Sequence, residues 1–265
     1  RSISVTSNGT INWDDLETLL NEKPNLISII AANNETGVIQ PILDITKAAK
    51  AQDSLVHIDA TQWIGRLPFD VNAVGADMVT LSSHKLGGPL GAGALWVRHG
   101  IGLEPLVRGG HQERNRRAGT ENTAAIAGFG VAIEAAVETM SSEIARQKEL
   151  RDNLWDGIQR LDVEARCYGQ EAERLPNTLN VSLGDLDGET ILIGLDLAGI
   201  SVSSGSACTA GSLDPSHVLL AMGVDEDEAR GAVRFSVGYT TTKIDVDKTL
   251  DVLSTLVAQH RELEA

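Results

Sequence analysis

The sequence predicts an α/β protein, a mainly parallel sheet wrapped by helices and followed by a smaller C-terminal α+β domain. Three observations predict it. Short β-branched runs alternate with stretches of helical spacing through the first half, as in successive βαβ units. Polar segments (Asn33-Asn34, Asp59 to Gln62, Ser82 to Lys85) each follow one of those runs, where open parallel sheets place their ligands. Beyond about residue 141 the pattern changes to a different mixture of strands and helices around a run of small residues.

The elements follow in order. Asn12, with Asp15 three residues on, reads as a helix start, and Trp13, Leu16, Leu19 and Leu20 continue at helical spacing. Leu26 to Ala31 is a short buried strand and Asn33 to Gly37 a loop. Ile42 to Gln52 is a helix opening after Pro41. Leu55 to Asp59, Met78 to Leu81 and Ala94 to Val97 are further strands. Glu121 to about Leu161 is Ala-rich and helical, and reads as one bent helix or as two that meet near Ser141-Ser142. A domain boundary is expected there, giving a larger domain over 1–141 and a small one over 142–265. In the second part Asn177 to Leu183, Ile200 to Ser203 and Val233 to Val237 read as strands, and Gly188 to Leu197 and Ile244 to Gln259 as helices.

Composition narrows the function classes. The 265 residues carry 22 Lys plus Arg against 37 Asp plus Glu, a formal charge of −15. That balance opposes direct nucleic-acid binding and a polybasic membrane surface. The 42% apolar content suits a packed globular core, and no apolar run is expected to reach the ~20 residues of a membrane span. Two widely separated cysteines, Cys167 and Cys208, and no export signal suggest a reducing, cytoplasmic setting. Ser2 to Val5 alternates like a strand under way, and initiator Met is seldom removed before Arg, so further sequence is expected ahead of Arg1.

Several residues could carry chemistry. Lys85 closes Ser82-Ser83-His84-Lys85 just ahead of Gly87-Gly88. A buried lysine there could form a Schiff base with an aldehyde cofactor, while neighbouring hydroxyls and N–H groups hold a phosphate; a solvated surface turn is the alternative. Asp59, ending a strand, could keep a pyridine nitrogen protonated, or merely cap a turn. Cys208 sits in Ser203 to Gly211, a run of small residues expected to be mobile and exposed, as suits a nucleophilic thiol. Cys167 reads as structural. Arg234, within a strand, could hold a carboxylate bidentately or be an edge-strand charge. Thr120 precedes a helix, as a phosphate ligand or an N-cap. The six histidines show no i,i+4 pairing and neither cysteine has a ligand-spaced partner, so no metal is expected.

Six motifs occur together and in order: Ala32 to Gly37, His57 to Gln62, Ser82 to Lys85, Arg117 to Asn122, Ser203 to Cys208, and Val233 to Ser236. Over about Ile3 to Ile244 the chain resembles a class I cysteine desulfurase, a fold-type I enzyme of the class V aminotransferase group. The resemblance implies pyridoxal 5'-phosphate as cofactor and a large domain of the pyridoxal-dependent transferase type. By that likeness Lys85 holds the cofactor covalently and serves as base, Asp59 partners its ring nitrogen, and Gln62 and Asn34 lie at its phenolic oxygen. Ser82 and His84 bind its phosphate, and Thr120 reaches the phosphate of the other subunit of a homodimer. Arg234 and Asn34 bind the substrate, and Cys208 takes sulfur from L-cysteine as a persulfide for an acceptor protein such as an iron–sulfur scaffold, or for tRNA thiolation.

Members of the group carry roughly a hundred further N-terminal residues, supplying a Gly-Thr phosphate loop and a histidine stacked on the cofactor. Neither is visible in the chain. The competing readings are a selenocysteine lyase or cysteine-conjugate β-lyase on the same frame, and a catalytically incomplete fragment serving as a binding or dimerisation module.

Overall fold

The computed structural model describes residues 1–204 and 214–264. The expected nucleophile Cys208 lies outside the described residues. In chain order the elements are α1 (Trp13–Asn21), β1 (Leu26–Ile30), α2 (Ile42–Lys50), β2 (Leu55–Asp59), α3 (Val71–Val74), β3 (Met78–Ser82), β4 (Gly93–Val97), α4 (Gln112–Asn115) and α5 (Thr123–Ile158). There follow β5 (Ala165–Cys167), β6 (Thr178–Leu183), α6 (Gly188–Leu197), β7 (Ser203–Ser204), α7 (His217–Ala221), α8 (Glu226–Arg230), β8 (Val233–Ser236) and α9 (Lys243–Glu264). The chain divides into two compact units, one formed by Leu20–Ala31 with Pro41–Met140, the other by Arg1–Leu19, Ala32–Gln40 and Ser141–Ala265.

The first unit holds a four-stranded sheet in the order β1-β2-β3-β4. β1, β2 and β3 are parallel, with Ile30 opposite Asp59 and Asp59 opposite Thr80. β4 runs antiparallel to β3, because the turn after Ser82 sends the chain straight back instead of through a helical crossover. The expected fully buried strand at Leu26 alternates instead: Ile27 and Ile29 are buried while Leu26 and Ile30 are half exposed. Leu86, Phe129 and Ala136 form a core under this sheet with Ile64, Leu81 and Ile133 against them. α2 opens after Pro41, where a missing N–H costs nothing. Its buried Ile42, Ile45 and Ala49 repeat at helical spacing.

The second unit holds an antiparallel sheet in the order β5-β6-β8-β7. Leu179, Val181 and Leu183 alternate along β6 into a core shared with Leu150, Leu154 and Ile158 of α5, Ile191 and Leu195 of α6, and Leu253 of α9. The other face of β6 carries Thr178, Asn180 and Ser182, which are also buried. A strand buried on both faces with polar residues on one of them needs partners there. Those partners build part of the candidate site. The strand expected from Ile200 is confined to Ser203–Ser204, which pair with Arg234 and Val233.

Of the two readings at Ser141-Ser142, one helix or two, the structure has the single helix. α5 runs unbroken from Thr123 to Ile158, and both serines lie on its exposed side, where their hydroxyls need no backbone partner. By length and composition alone α5 is long and apolar enough to cross a bilayer, although its apolar residues are interrupted by charged ones. Its buried side chains instead serve the two cores, Phe129 and Ala136 in one and Leu150, Leu154, Trp155 and Ile158 in the other.

Candidate active site

The first unit places Asp59, Gln62, Ser82, His84 and Lys85 at the carboxyl ends of the parallel strands β2 and β3. Asp59 is the last residue of β2, and its Oδ1 accepts the N–H of Thr61 at 2.9 Å, turning the chain off the strand. His57, two residues earlier on the same face, bonds Ser28 Oγ through Nδ1 at 2.7 Å. Burial pushes the His57 imidazole below its usual range, against the opposing pull of Asp59.

Beyond β3 the chain makes a 3₁₀ turn over Ser83–Leu86. With three residues per turn, Ser83 and Leu86 share the inward face and are buried. His84 and Lys85 are therefore turned outward and exposed. This corrects the expectation of a buried lysine: the amine is presented at the surface of the unit because the 3₁₀ period gives the interior to its neighbours. The Lys85 carbonyl accepts Nη2 of Arg66 at 2.9 Å, and Arg66 Nη1 donates to the Gln62 carbonyl at 3.0 Å. Arg66 thus links the backbone of the Asp59–Gln62 turn to that of the Lys85 turn. Ser82 Oγ and His84 Nδ1 lie 2.9 Å apart.

Thr120 is exposed three residues ahead of α5 and bonds none of these groups among the described residues. Nor does it cap the helix. Asn122 does that, its Oδ1 accepting the N–H of Ala125 at 3.2 Å.

The second unit brings Asn34 and Arg234 together. Asn33 Oδ1 accepts the N–H groups of Glu35 and Thr36 at 2.8 and 2.9 Å, folding Asn33–Gly37 into an Asx turn. Gly37 closes it at φ +75, where an added Cβ would come within 2.9 Å of Thr178 Cβ. The Asn34 carbonyl accepts Arg234 Nη1 at 2.8 Å, and Arg234 Nη2 donates to Ser203 Oγ at 3.1 Å. Arg234 is not on an edge strand, since β8 lies between β6 and β7. The edge-charge alternative is thereby excluded.

Glu35 lies inside the Ala32 to Gly37 motif, but the sequence alone assigns it no role. Glu35 is 2% exposed and accepts the Ser216 hydroxyl at 2.5 Å, while its carbonyl accepts Asn180 Nδ2 at 3.2 Å. Burial raises its carboxyl above the usual range, against the Ser216 hydrogen bond and the nearby His217 and Arg234. An acidic residue between two asparagines and a Thr-Gly pair reads as a solvated turn, and only the fold shows it facing inward. Cys167 is buried at the end of β5, its Sγ accepting Arg174 Nη1 at 3.0 Å, and burial pushes the thiol up. That is an inert thiol.

The donor set suits pyridoxal phosphate chemically. It offers an exposed primary amine, a carboxylate with one oxygen held by Thr61 and the other without a partner among the described residues, and a hydroxyl–imidazole pair.

Residues 1–249 match the family model described as aminotransferase class-V. The chain is 44% identical over 261 residues to a cysteine desulfurase IscS of Dictyoglomus turgidum, covering 98% of this chain and 66% of that protein. It is 46% identical to a cysteine desulfurase of Gluconacetobacter diazotrophicus, covering 98% of this chain and 65% of that one. The chain thus spans about two thirds of the length of these relatives. Among solved structures, a NifS-like protein from Rickettsia africae superposes with a TM-score of 0.90 at 36% identity, over 97% of this chain and 69% of that one. A structure described as SspA in complex with cysteine superposes with a TM-score of 0.74 at 34% identity, over 89% of this chain and 65% of that one.

Proposed function

The chain belongs to the class-V aminotransferase family, and on that premise we propose that it works as a cysteine desulfurase, converting L-cysteine to L-alanine with pyridoxal 5'-phosphate as cofactor. What supports this most directly is the pairing of an outward-facing Lys85 beyond β3 with the Asp59 carboxylate ending the adjacent parallel strand. Lys85, Asp59, Gln62, Ser82 and His84 would hold the cofactor, with Thr120 reaching the cofactor phosphate of a second subunit. When bound, the cofactor supplies an aldehyde for amines and a cationic ring that spreads negative charge from the substrate's Cα.

The chain's own residues do the rest. Asp59 accepts the ring N–H and keeps that nitrogen protonated. Arg234 and Asn34 orient the substrate, the guanidinium pairing with its carboxylate. The Lys85 amine removes the proton from Cα as general base. The Cys208 thiolate attacks the substrate sulfur: an S–S bond forms, the Cβ–S bond breaks with its electron pair passing to carbon, and a proton completes the methyl group of alanine. The net change joins one thiol and one cysteine into one persulfide and one alanine. Cys208 then passes its outer sulfur to an acceptor protein, such as an iron–sulfur scaffold, or towards tRNA thiolation. A homodimer in the reducing cytoplasm is part of the same reading.

Absorbance and sulfide release test it. The protein with added pyridoxal phosphate should be yellow, Lys85→Ala should lose the colour, and Cys208→Ser should keep it while releasing no sulfide from L-cysteine. Full sulfide release by Cys208→Ser would favour a lyase instead.

A further inference from the structure

In the second unit, Glu35 follows Asn34 within the Asn33–Gly37 turn, and its N–H, its carbonyl and one carboxyl oxygen are each engaged. Its N–H donates to Asn33 Oδ1 at 2.8 Å, its carbonyl accepts Asn180 Nδ2 at 3.2 Å, and its carboxyl accepts the Ser216 hydroxyl at 2.5 Å. The Glu35 N–H belongs to the same planar peptide as the Asn34 carbonyl. Holding that N–H on one side fixes the direction of the carbonyl on the other, and that carbonyl receives Arg234 Nη1 at 2.8 Å.

The two supports are themselves rigid. Ser216 is 1% exposed and its Oγ also caps α7, accepting the N–H of Leu219 at 3.2 Å. Asn180 is fully buried on β6 and lies directly opposite Arg234 in the sheet register. A carboxyl group this deep in the fold is costly unless it is hydrogen-bonded, and Ser216 supplies that bond. Truncating it would leave the Ser216 hydroxyl without its acceptor and loosen the turn, which would then be held only through the backbone bonds of residue 35.

We propose that Glu35 is a positioning residue for Arg234: its carboxyl ties the Asn33–Gly37 turn to Ser216, beside the backbone bond from Asn180, so that the Asn34 carbonyl aims the guanidinium at the substrate's carboxylate. The role rests on the desulfurase reading above, in which Arg234 is that anchor. It is separate from the chemistry at Lys85, since it governs how well a carboxylate is bound and leaves proton transfer and sulfur capture alone.

The test uses the full chain loaded with cofactor and compares L-cysteine with cysteamine, which is L-cysteine without its carboxylate. Glu35→Ala should raise KM for L-cysteine about 10-fold with kcat changed less than about 2-fold. Calorimetric affinity for L-alanine should fall by the same factor, and the inhibition constant of cysteamine should not move. Glu35→Gln keeps the shape and an oxygen for Ser216, so it should restore KM. If circular dichroism finds Glu35→Ala unfolded, Ser216→Ala carries the test and should show the same selective loss. An equal loss of cysteamine affinity, or a fall in kcat with KM unchanged, overturns the proposal. Arg234→Ala separates the two readings. If it leaves KM for L-cysteine unchanged, the anchor assignment fails. If it raises KM while Glu35→Ala does not, only the role of Glu35 fails.

Discussion

Arg234 Nη1 donates to the backbone carbonyl of Asn34 at 2.8 Å, across 200 residues of sequence. Its Nη2 donates to Ser203 Oγ at 3.1 Å, so the plane of the guanidinium is set from two directions. A lysine at 234 has a single ammonium that cannot hold both acceptors and present a planar fork to a carboxylate. Arg234→Lys should therefore weaken L-cysteine binding by about 10-fold or more while leaving the cofactor chromophore in place. Spectral titration with L-cysteine measures the first and the absorbance of the unliganded protein the second.

Asn122 and Thr120 can be told apart by what each supports. The Asn122 side chain closes the first turn of α5 through Ala125 N–H, and α5 contributes to both cores. Asn122→Ala should cost about 1 kcal/mol of stability, read as a lower urea midpoint. Thr120→Ala should leave that midpoint unchanged, because Thr120 is exposed and bonds nothing among the described residues, and should weaken pyridoxal phosphate retention on dialysis if Thr120 reaches a phosphate.

Gly169 supports the fold near the Asn33–Gly37 turn by lacking a side chain. It sits at φ +73, and an added Cβ would collide with Cγ2 of Val38, which is fully buried. Gly169→Ala combines a left-handed backbone with overpacking and should destabilise by about 2 kcal/mol. An unchanged urea midpoint would mean that the Val38 region yields more readily than its burial implies.

The strands β1 to β3 were legible because β-branched runs flanked by polar segments leave few alternatives, and the placement of Asp59, Ser82 and Lys85 at strand ends was legible because those segments directly follow the runs. Orientation was not legible. Nothing in Ser82-Ser83-His84-Lys85 says that the chain enters a 3₁₀ turn, and that period alone decides that Ser83 faces inward and Lys85 outward. Glu35 was hidden for the opposite reason: an acid in a turn reads as solvated until β6 is seen to bring Asn180 against its carbonyl, and Ser216 is found 181 residues away. The antiparallel turn of β4 depends on the absence of a crossover helix after Ser82, a statement about a short Gly-rich loop that periodicity does not report.

Asp77 offers a test by pH. Its carboxylate is fully buried beside β2, where burial opposes ionisation. Hydrogen bonds from Lys50, the Val56 N–H and Arg98 outweigh that cost and hold the carboxyl below its usual range. A carboxyl whose pKa is lower in the folded than in the unfolded chain stabilises the fold at pH above the unfolded value, and that stabilisation is lost as pH falls through the folded one. The protein should therefore lose stability on acidification below the ordinary aspartate value of 3.8. Asp77→Asn should cost about 1–2 kcal/mol at neutral pH, because it removes the counter-charge of Lys50 and Arg98 while water still reaches both cations. It should also flatten the acid limb of the stability curve, as the group responsible no longer titrates. Urea unfolding of both proteins at neutral and acid pH decides it, and an acid limb equally steep in the variant would assign that loss to other carboxylates.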